Sequence, residues 1–341
     1  MERGGQAPGV TMMDLETLRE RAQIIGKIRS FFDARNYLEL DTPLLSPDLI
    51  PESCLEVFET RRILPSGPSV PYWLIPSPEI WMKKIIARHR TNVYQICKCF
   101  RNGESSGFLH SPEFTMLEYY TVNAGYLESL SLTEELFGFL SREQGAEGDQ
   151  AAGIRPPFER LTVAEAFARY AGFDLFAAAE KKGGLETEAL RLGLDPAPLL
   201  NDCQDRETAG LYDLIFIHSV EPRLKQNRPV ALLDYPAFVP TLARQNPGGR
   251  TVERWELYFN GIELANCYSE ETDARRIKDF FESEAAVKDK KALVRHKADH
   301  DYWKLFQNGF PPCSGAALGL DRLVMALLGR STIDAVLPFP M

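Results

Sequence analysis

The chain has 341 residues, 44% of them hydrophobic and 26% charged, with a formal net charge of −9. No stretch reaches the roughly 18 uninterrupted apolar residues of a membrane helix, and the N-terminus lacks a signal-peptide apolar run. The six cysteines are dispersed without a C-x-x-C. A membrane span, a disulfide scaffold, a zinc knuckle and a nucleic-acid footprint are therefore disfavoured, and a cytoplasmic protein with one large core is expected.

Residues 1–13 are interrupted by glycine and proline and are expected to form a disordered tail, with one domain over 14–341. From Asp14 to about Asn36, Ile24, Ile28 and Phe31 beside Ile25 and Phe32 make the apolar stripe of a helix. The strand YLELDTPLL follows and stops at Pro43. Tyr72–Ile75 is a short strand, after which Ser77 has the chemistry of an N-cap, with Pro78 at the first helical position and Glu79 next. The helix continues through WMKKIIARH. Val93–Arg101 and Glu113–Thr121 are strands around a polar loop. Residues 142–158 form a connector, and 160–227 an acidic helical insertion whose clearest helix is LTVAEAFARYAGF. VALLDYPAF returns to strand, and Asn260-Gly261 between two apolar runs signals a two-residue hairpin. Charged helix is expected from Glu271 to about Phe306, then the strand CSGAALG and the helix LDRLVMALLG. Hairpin-linked strands outnumber what a βαβ rhythm gives, so the fold class is α+β, an antiparallel sheet flanked by helices.

The segment FRNGESSGFLHSPEFTMLEYY carries the most chemistry. Arg101 ends one strand, and Glu118 and Tyr120 leave one face of the next, which joins a cation suited to phosphate with a carboxylate and a phenol suited to an amine. That pairing suggests adenylation of an amino acid. In the hairpin, Tyr258 should pair with Glu263, so Glu256 and Glu263 project from one side, either around Mg²⁺ on ATP phosphates or as acids on a solvated face. Strict alternation sends Asn266 and Tyr268 to the opposite face from Glu263 unless a bulge near Ala265 turns them back. Gly315 and Gly319 precede Arg322, and either admit a flat base or serve close sheet packing. Cys97 and Cys99 share a strand side, where core packing is the commoner use. Gly103 to Gly107 matches G-x-S-x-G but leads into a strand rather than a helix, so no nucleophile elbow is expected, and no P-loop occurs.

Together these segments resemble class II aminoacyl-tRNA synthetases of the lysyl branch over about residues 17–340. FFDARNYLELDTPLL is similar to motif one, FRNGE with HSPEFTMLEYY to motif two and GAALGLDRL to motif three. SPEIWMKK and ERWELYFNGIELANCYSEETDA resemble lysyl-type signatures. Motif one starts within the first forty residues, so no anticodon-binding domain is expected, and that short form resembles the elongation factor P lysine ligases. The resemblance implies ATP and Mg²⁺ as cofactors, lysine or (R)-β-lysine as substrate, elongation factor P as acceptor, a homodimer, and neither tRNA nor membrane as partner. It implies catalytic roles for Arg101 and Arg322 on the phosphates. It places Asn102, Gly103, Glu104, Ser111, Glu256, Leu257 and Gly319 at the nucleotide, with Glu256 and Glu263 at the metal. Ser77, Pro78, Glu79, Glu118, Tyr120, Glu263, Asn266, Glu270 and Ala317 would surround the amino acid. Two departures stand out: Gly103 intervenes before Glu104 where the family reads R-N-E, and Ala317 replaces a glycine of lysyl-tRNA synthetases. The competing expectations are an anticodon-independent synthetase and a catalytically silent paralogue.

Overall fold

The computed structural model describes residues 13–104, 107–143, 154–200, 207–225 and 228–340. Helix α1 (Leu15–Asp33) begins where the Asp14 carboxylate accepts the Thr17 N–H at 2.9 Å, and its expected stripe of Ile24, Ile28, Phe31 and Phe32 is buried. Met13 is also buried, with its N–H 3.4 Å from the Pro338 carbonyl, so the tail expected over 1–13 ends before it. The remainder of that tail lies outside the described residues.

The main sheet has eight strands in the order β1-β5-β6-β11-β10-β9-β8-β7. They are β1 (Leu38–Glu39), β5 (Val93–Phe100), β6 (Glu113–Val122), β7 (Glu159–Thr162), β8 (Val230–Pro236), β9 (Thr251–Phe259), β10 (Ile262–Ser269) and β11 (Cys313–Gly319). The six inner strands are antiparallel, as expected, but the edge pairs β1·β5 and β7·β8 are parallel. Strands of two and four residues are too short to show a period of two in sequence. A second sheet pairs β2 (Leu45–Ser46), β4 (Val70–Leu74) and β3 (Glu59–Arg62).

Each main strand turns alternate residues to opposite faces. Tyr94, Leu117, Tyr119, Ala316, Leu318, Trp255, Leu257 and Cys267 face a core shared with α1, helix α3 (Tyr126–Glu143) and the C-terminal helix (Leu320–Leu327). The other face is walled at both ends. Helix α2 (Glu79–His89) and the helix Ala274–Lys291 cover Val93, Tyr120 and Cys313, while the short helices of the insertion cover Val230, Leu232 and Tyr258. Between these walls the middle of the sheet stays open.

Several boundaries differ from expectation. Pro78, not Ser77, caps α2, and no side chain bonds its first turn. Leu161 and Thr162 belong to β7, and the helix behind them is α-helical only over Val163–Ala166 before a π turn over Phe167–Ala171. The charged helix stops at Lys291, with a separate 3₁₀ turn at Tyr302–Phe306. Helix α3 reaches Glu143, into the expected connector, of which 144–153 lie outside the described residues. Cys97 and Cys99 lie with sulfurs 3.9 Å apart, and no group of three metal-ligating side chains occurs among the described residues.

Candidate active site

The open middle of the sheet holds a cavity of about 310 Å³. Arg101 enters from the end of β5, Ser111 from the following loop, Ala317 and Gly319 from β11, Glu256 from β9, Glu263 and Asn266 from β10, and Arg322 from the first turn after β11. Glu104 lines it too. Nine of the residues expected around nucleotide, metal or amino acid therefore meet in one hollow.

A β-bulge produces that meeting. The Asn260-Gly261 turn, with φ of 52° and 78°, sets Phe259 opposite Ile262 and Tyr258 opposite Glu263, as the hairpin reading requires. The register then slips between Glu263 and Ala265, so Leu264 and Ala265 both face the core and Asn266, opposite Glu256, returns to the cavity side.

Three guanidinium groups line this space, those of Arg101, Arg254 and Arg322. Arg101 lies over the Phe114 ring at 5.2 Å and 3.7 Å from Glu104, and its buried Nε has no partner among the described residues. Arg322 donates to the carbonyls of Glu263 at 2.9 Å and Leu109 at 3.3 Å, which fixes its approach. The Ser111 hydroxyl is likewise buried without a partner. These orphan donors suit phosphate and nucleotide oxygens.

The paired acids differ from each other. Glu256 accepts hydrogen bonds from Tyr235 and Tyr258, each at 2.6 Å, and from Arg254, whose guanidinium sits 4.6 Å over the Tyr235 ring. Glu263 stands freer, 3.9 Å from Arg322 and lining the cavity. Desolvation, with Glu256 next, pushes its carboxyl up to about 7. Repulsion between the two is thus offset within the chain, by Arg254 and Arg322, and not only by a bound ion. An oxygen donor set of one free and one anchored carboxylate fits Mg²⁺ that completes its shell with phosphate and water.

Behind Ala317 and Asn266 lies a second, buried group of polar side chains. Tyr120 donates to Glu118 at 2.7 Å. Lys83, 1% exposed, pairs with Glu270 at 2.6 Å and with Glu79, which also accepts from Tyr268 at 3.2 Å. Burial, then Glu79, pushes Glu118 well above the carboxylate range. Burial pushes Glu270 up to about 8 although Lys83 pulls against it. Burial also works against the Lys83 ammonium, but Glu270 and Glu79 outweigh it and hold the group well above its ordinary value. A Cβ on Gly315 would fall 2.5 Å from the Tyr120 ring and 2.7 Å from Glu270, so this glycine serves close packing. At Gly319 a Cβ would meet nothing nearer than Arg322 at 3.7 Å, which leaves the cavity side clear.

Some expected residues stand elsewhere. Leu257 turns its side chain into the helix-side core and cannot line the cavity with it. Asn102 reaches the Val57 carbonyl with its amide and, with Gly103, lines an adjoining hollow. Gly103 has φ of 69°, which explains a glycine where the family continues directly to an acid. Ser77 and Pro78 line neither hollow. Lys83, Arg254 and Gln95 fall outside the residues the sequence singles out, whereas Tyr268 is turned to this face together with Asn266 by the bulge. The first two had a signal: Lys83 lies four residues after Glu79 on a helix, and Arg254 two before Glu256 on a strand.

The elongation factor P–(R)-β-lysine ligase of Avibacterium paragallinarum is 35% identical over 327 residues, covering 95% of each chain. The protein of the same name from Hamiltonella defensa subsp. Acyrthosiphon pisum (strain 5AT) is 33% identical over 329 residues, 96% of this chain and 95% of that one. A family model described as tRNA synthetases class II (D, K and N) matches residues 11–341. This chain belongs to the class II tRNA synthetases of the D, K and N type.

Proposed function

We propose that the protein is an ATP-dependent ligase that activates a lysine, (R)-β-lysine foremost, as its adenylate and transfers it to a lysine side chain of elongation factor P. The observation that carries this is the contact between two unlike sites: an arginine-lined cavity and a buried carboxylate cluster meet at Ala317 and Asn266, which face Glu118 and Glu256 across the ladder. A phosphate donor and an amino acid would thus lie end to end. The names of the two relatives support the choice of isomer and acceptor.

In the first step, an oxygen of the lysine carboxylate attacks the α-phosphorus of ATP and the bond to pyrophosphate breaks. Arg101 and Arg322 offset the charge that builds on the phosphate oxygens. Mg²⁺, held by Glu263 with Glu256, would supply further charge neutralisation. Glu118, Tyr120 and Glu270 hold the amino acid by its amine end, and Ala317 shapes the space for its backbone. In the second step, the acceptor amine attacks the carbonyl carbon and AMP departs. No covalent enzyme intermediate is needed, and no tRNA takes part. The motif-one strand region leaves Leu38 54% and Leu45 45% exposed, apolar surface that suits the homodimer the family resemblance implies.

Lysine-dependent exchange of pyrophosphate into ATP tests the activation step. Arg101→Ala is expected to lower its kcat/KM by about 100-fold or more, the scale of a lost transition-state donor. Unchanged exchange would contradict the assignment.

A further inference from the structure

Gln95 lies on β5, on the cavity-side face, with its Cα directly opposite Glu118 on β6. It is 1% exposed, and neither its amide oxygen nor its amide nitrogen has a hydrogen-bond partner among the described residues. Cys99 first, and this amide after it, hold the Cys97 thiol two residues on below its ordinary value, but the amide lies outside hydrogen-bond geometry with that thiol. A buried, unbonded primary amide is costly, so such a group normally awaits a ligand or water. Its neighbours are in the same condition. One oxygen of Glu118 and one of Glu270 are buried without partners, because Tyr120 takes only the other oxygen of Glu118 and Lys83 the other oxygen of Glu270. Glu79 uses one oxygen, Oε1, for both Lys83 and Tyr268.

We infer that Gln95 is a specificity-determining residue of the amine pocket. Its amide oxygen is the third acceptor, with Glu118 and Glu270, for the three N–H bonds of the substrate's side-chain ammonium. A primary ammonium has three donors to satisfy, and two carboxylate oxygens leave one over. The third acceptor is neutral, which fits a cluster where a further carboxylate would repel Glu118 across the ladder. A cradle of three acceptors selects a primary amine over an alkylated one, since a methyl group would leave Gln95 buried and unbonded. This inference rests on the proposed activation of lysine and adds to it the contact that distinguishes a free ammonium from a methylated one.

The test compares pyrophosphate exchange supported by lysine and by Nε-methyl-lysine, of whichever isomer the wild type uses. In Gln95→Leu, kcat/KM for lysine should fall roughly 10- to 100-fold, the range for one hydrogen bond to a charged group. The preference for lysine over Nε-methyl-lysine should shrink at least about tenfold, with KM for ATP unchanged. Gln95→Glu keeps an acceptor oxygen in place and should retain the preference. If Gln95→Leu weakens both amino acids equally, or neither, the inference is overturned while lysine activation stands. A wild type with no lysine-dependent exchange overturns both.

Discussion

At the scale of single residues, the amine pocket has a protonation state set by burial. Glu270 is pushed up to about 8 from an ordinary value of 4.5, and Glu118 upward as well, with Lys83, Glu79 and Tyr120 as their charged or titratable neighbours. A carboxyl that holds its proton more tightly when folded favours the fold at low pH. That contribution is lost as pH rises from 4.5 through about 8. An arriving ammonium reverses the preference and ionises the carboxyl, so lysine binding near pH 7 should release a proton. The KM for lysine is expected to fall between pH 6 and 8, by up to about tenfold per unit for one proton, while that for ATP stays level. Calorimetry in buffers of different ionisation enthalpy would register the released proton, and heats independent of buffer would refute it. Gly315→Ala probes the same pocket by crowding, because the added methyl must displace the Tyr120 ring and Glu270. Raised lysine KM, by about tenfold or more with ATP binding intact, is the expected kinetic result.

At the scale of elements, the site depends on how the family motifs are locked together. Arg21 of α1 pairs with Asp321 at 2.5 Å and also donates to Thr115 of β6 and the Val336 carbonyl. Asp321 in turn accepts the Thr115 N–H at 2.6 Å. One buried ion pair thus ties α1, β6 and the C-terminal helix at the floor of the cavity. Arg21→Leu leaves Asp321 charged and unpaired, and is expected to cost about 3–5 kcal/mol of stability in urea unfolding. A loss below about 1 kcal/mol would show that the tie is dispensable.

Much of this was legible in the sequence. The period-two placement of Glu118 and Tyr120, the Asn260-Gly261 turn and the stripe of α1 each follow from local rules. Leu257 turns its side chain to the core, as its parity with Glu256 requires, so a part for it at the nucleotide falls to its backbone. The bulge at Leu264 was only a requirement, since a slipped register leaves no residue signature. Capping of α2 by Pro78 rather than Ser77 reflects how small the difference is between neighbouring starts. The role of Lys83 was hidden because its second partner, Glu270, is distant in sequence, and long-range pairing is not a local property.

At the scale of the molecule, the sheet is closed on one face by a continuous core and left open in the middle of the other. The insertion and the α2 region wall that opening at opposite ends. No described helix is long and apolar enough to cross a membrane. The nature of the acceptor is the central claim, and a single measurement reaches it. The purified protein is supplied with ATP and radiolabelled (R)-β-lysine, and with unmodified elongation factor P and lysine tRNA together. Label covalently attached to a lysine side chain of the factor, and none on the tRNA, is the predicted result. Label on the tRNA, or on neither, would contradict it.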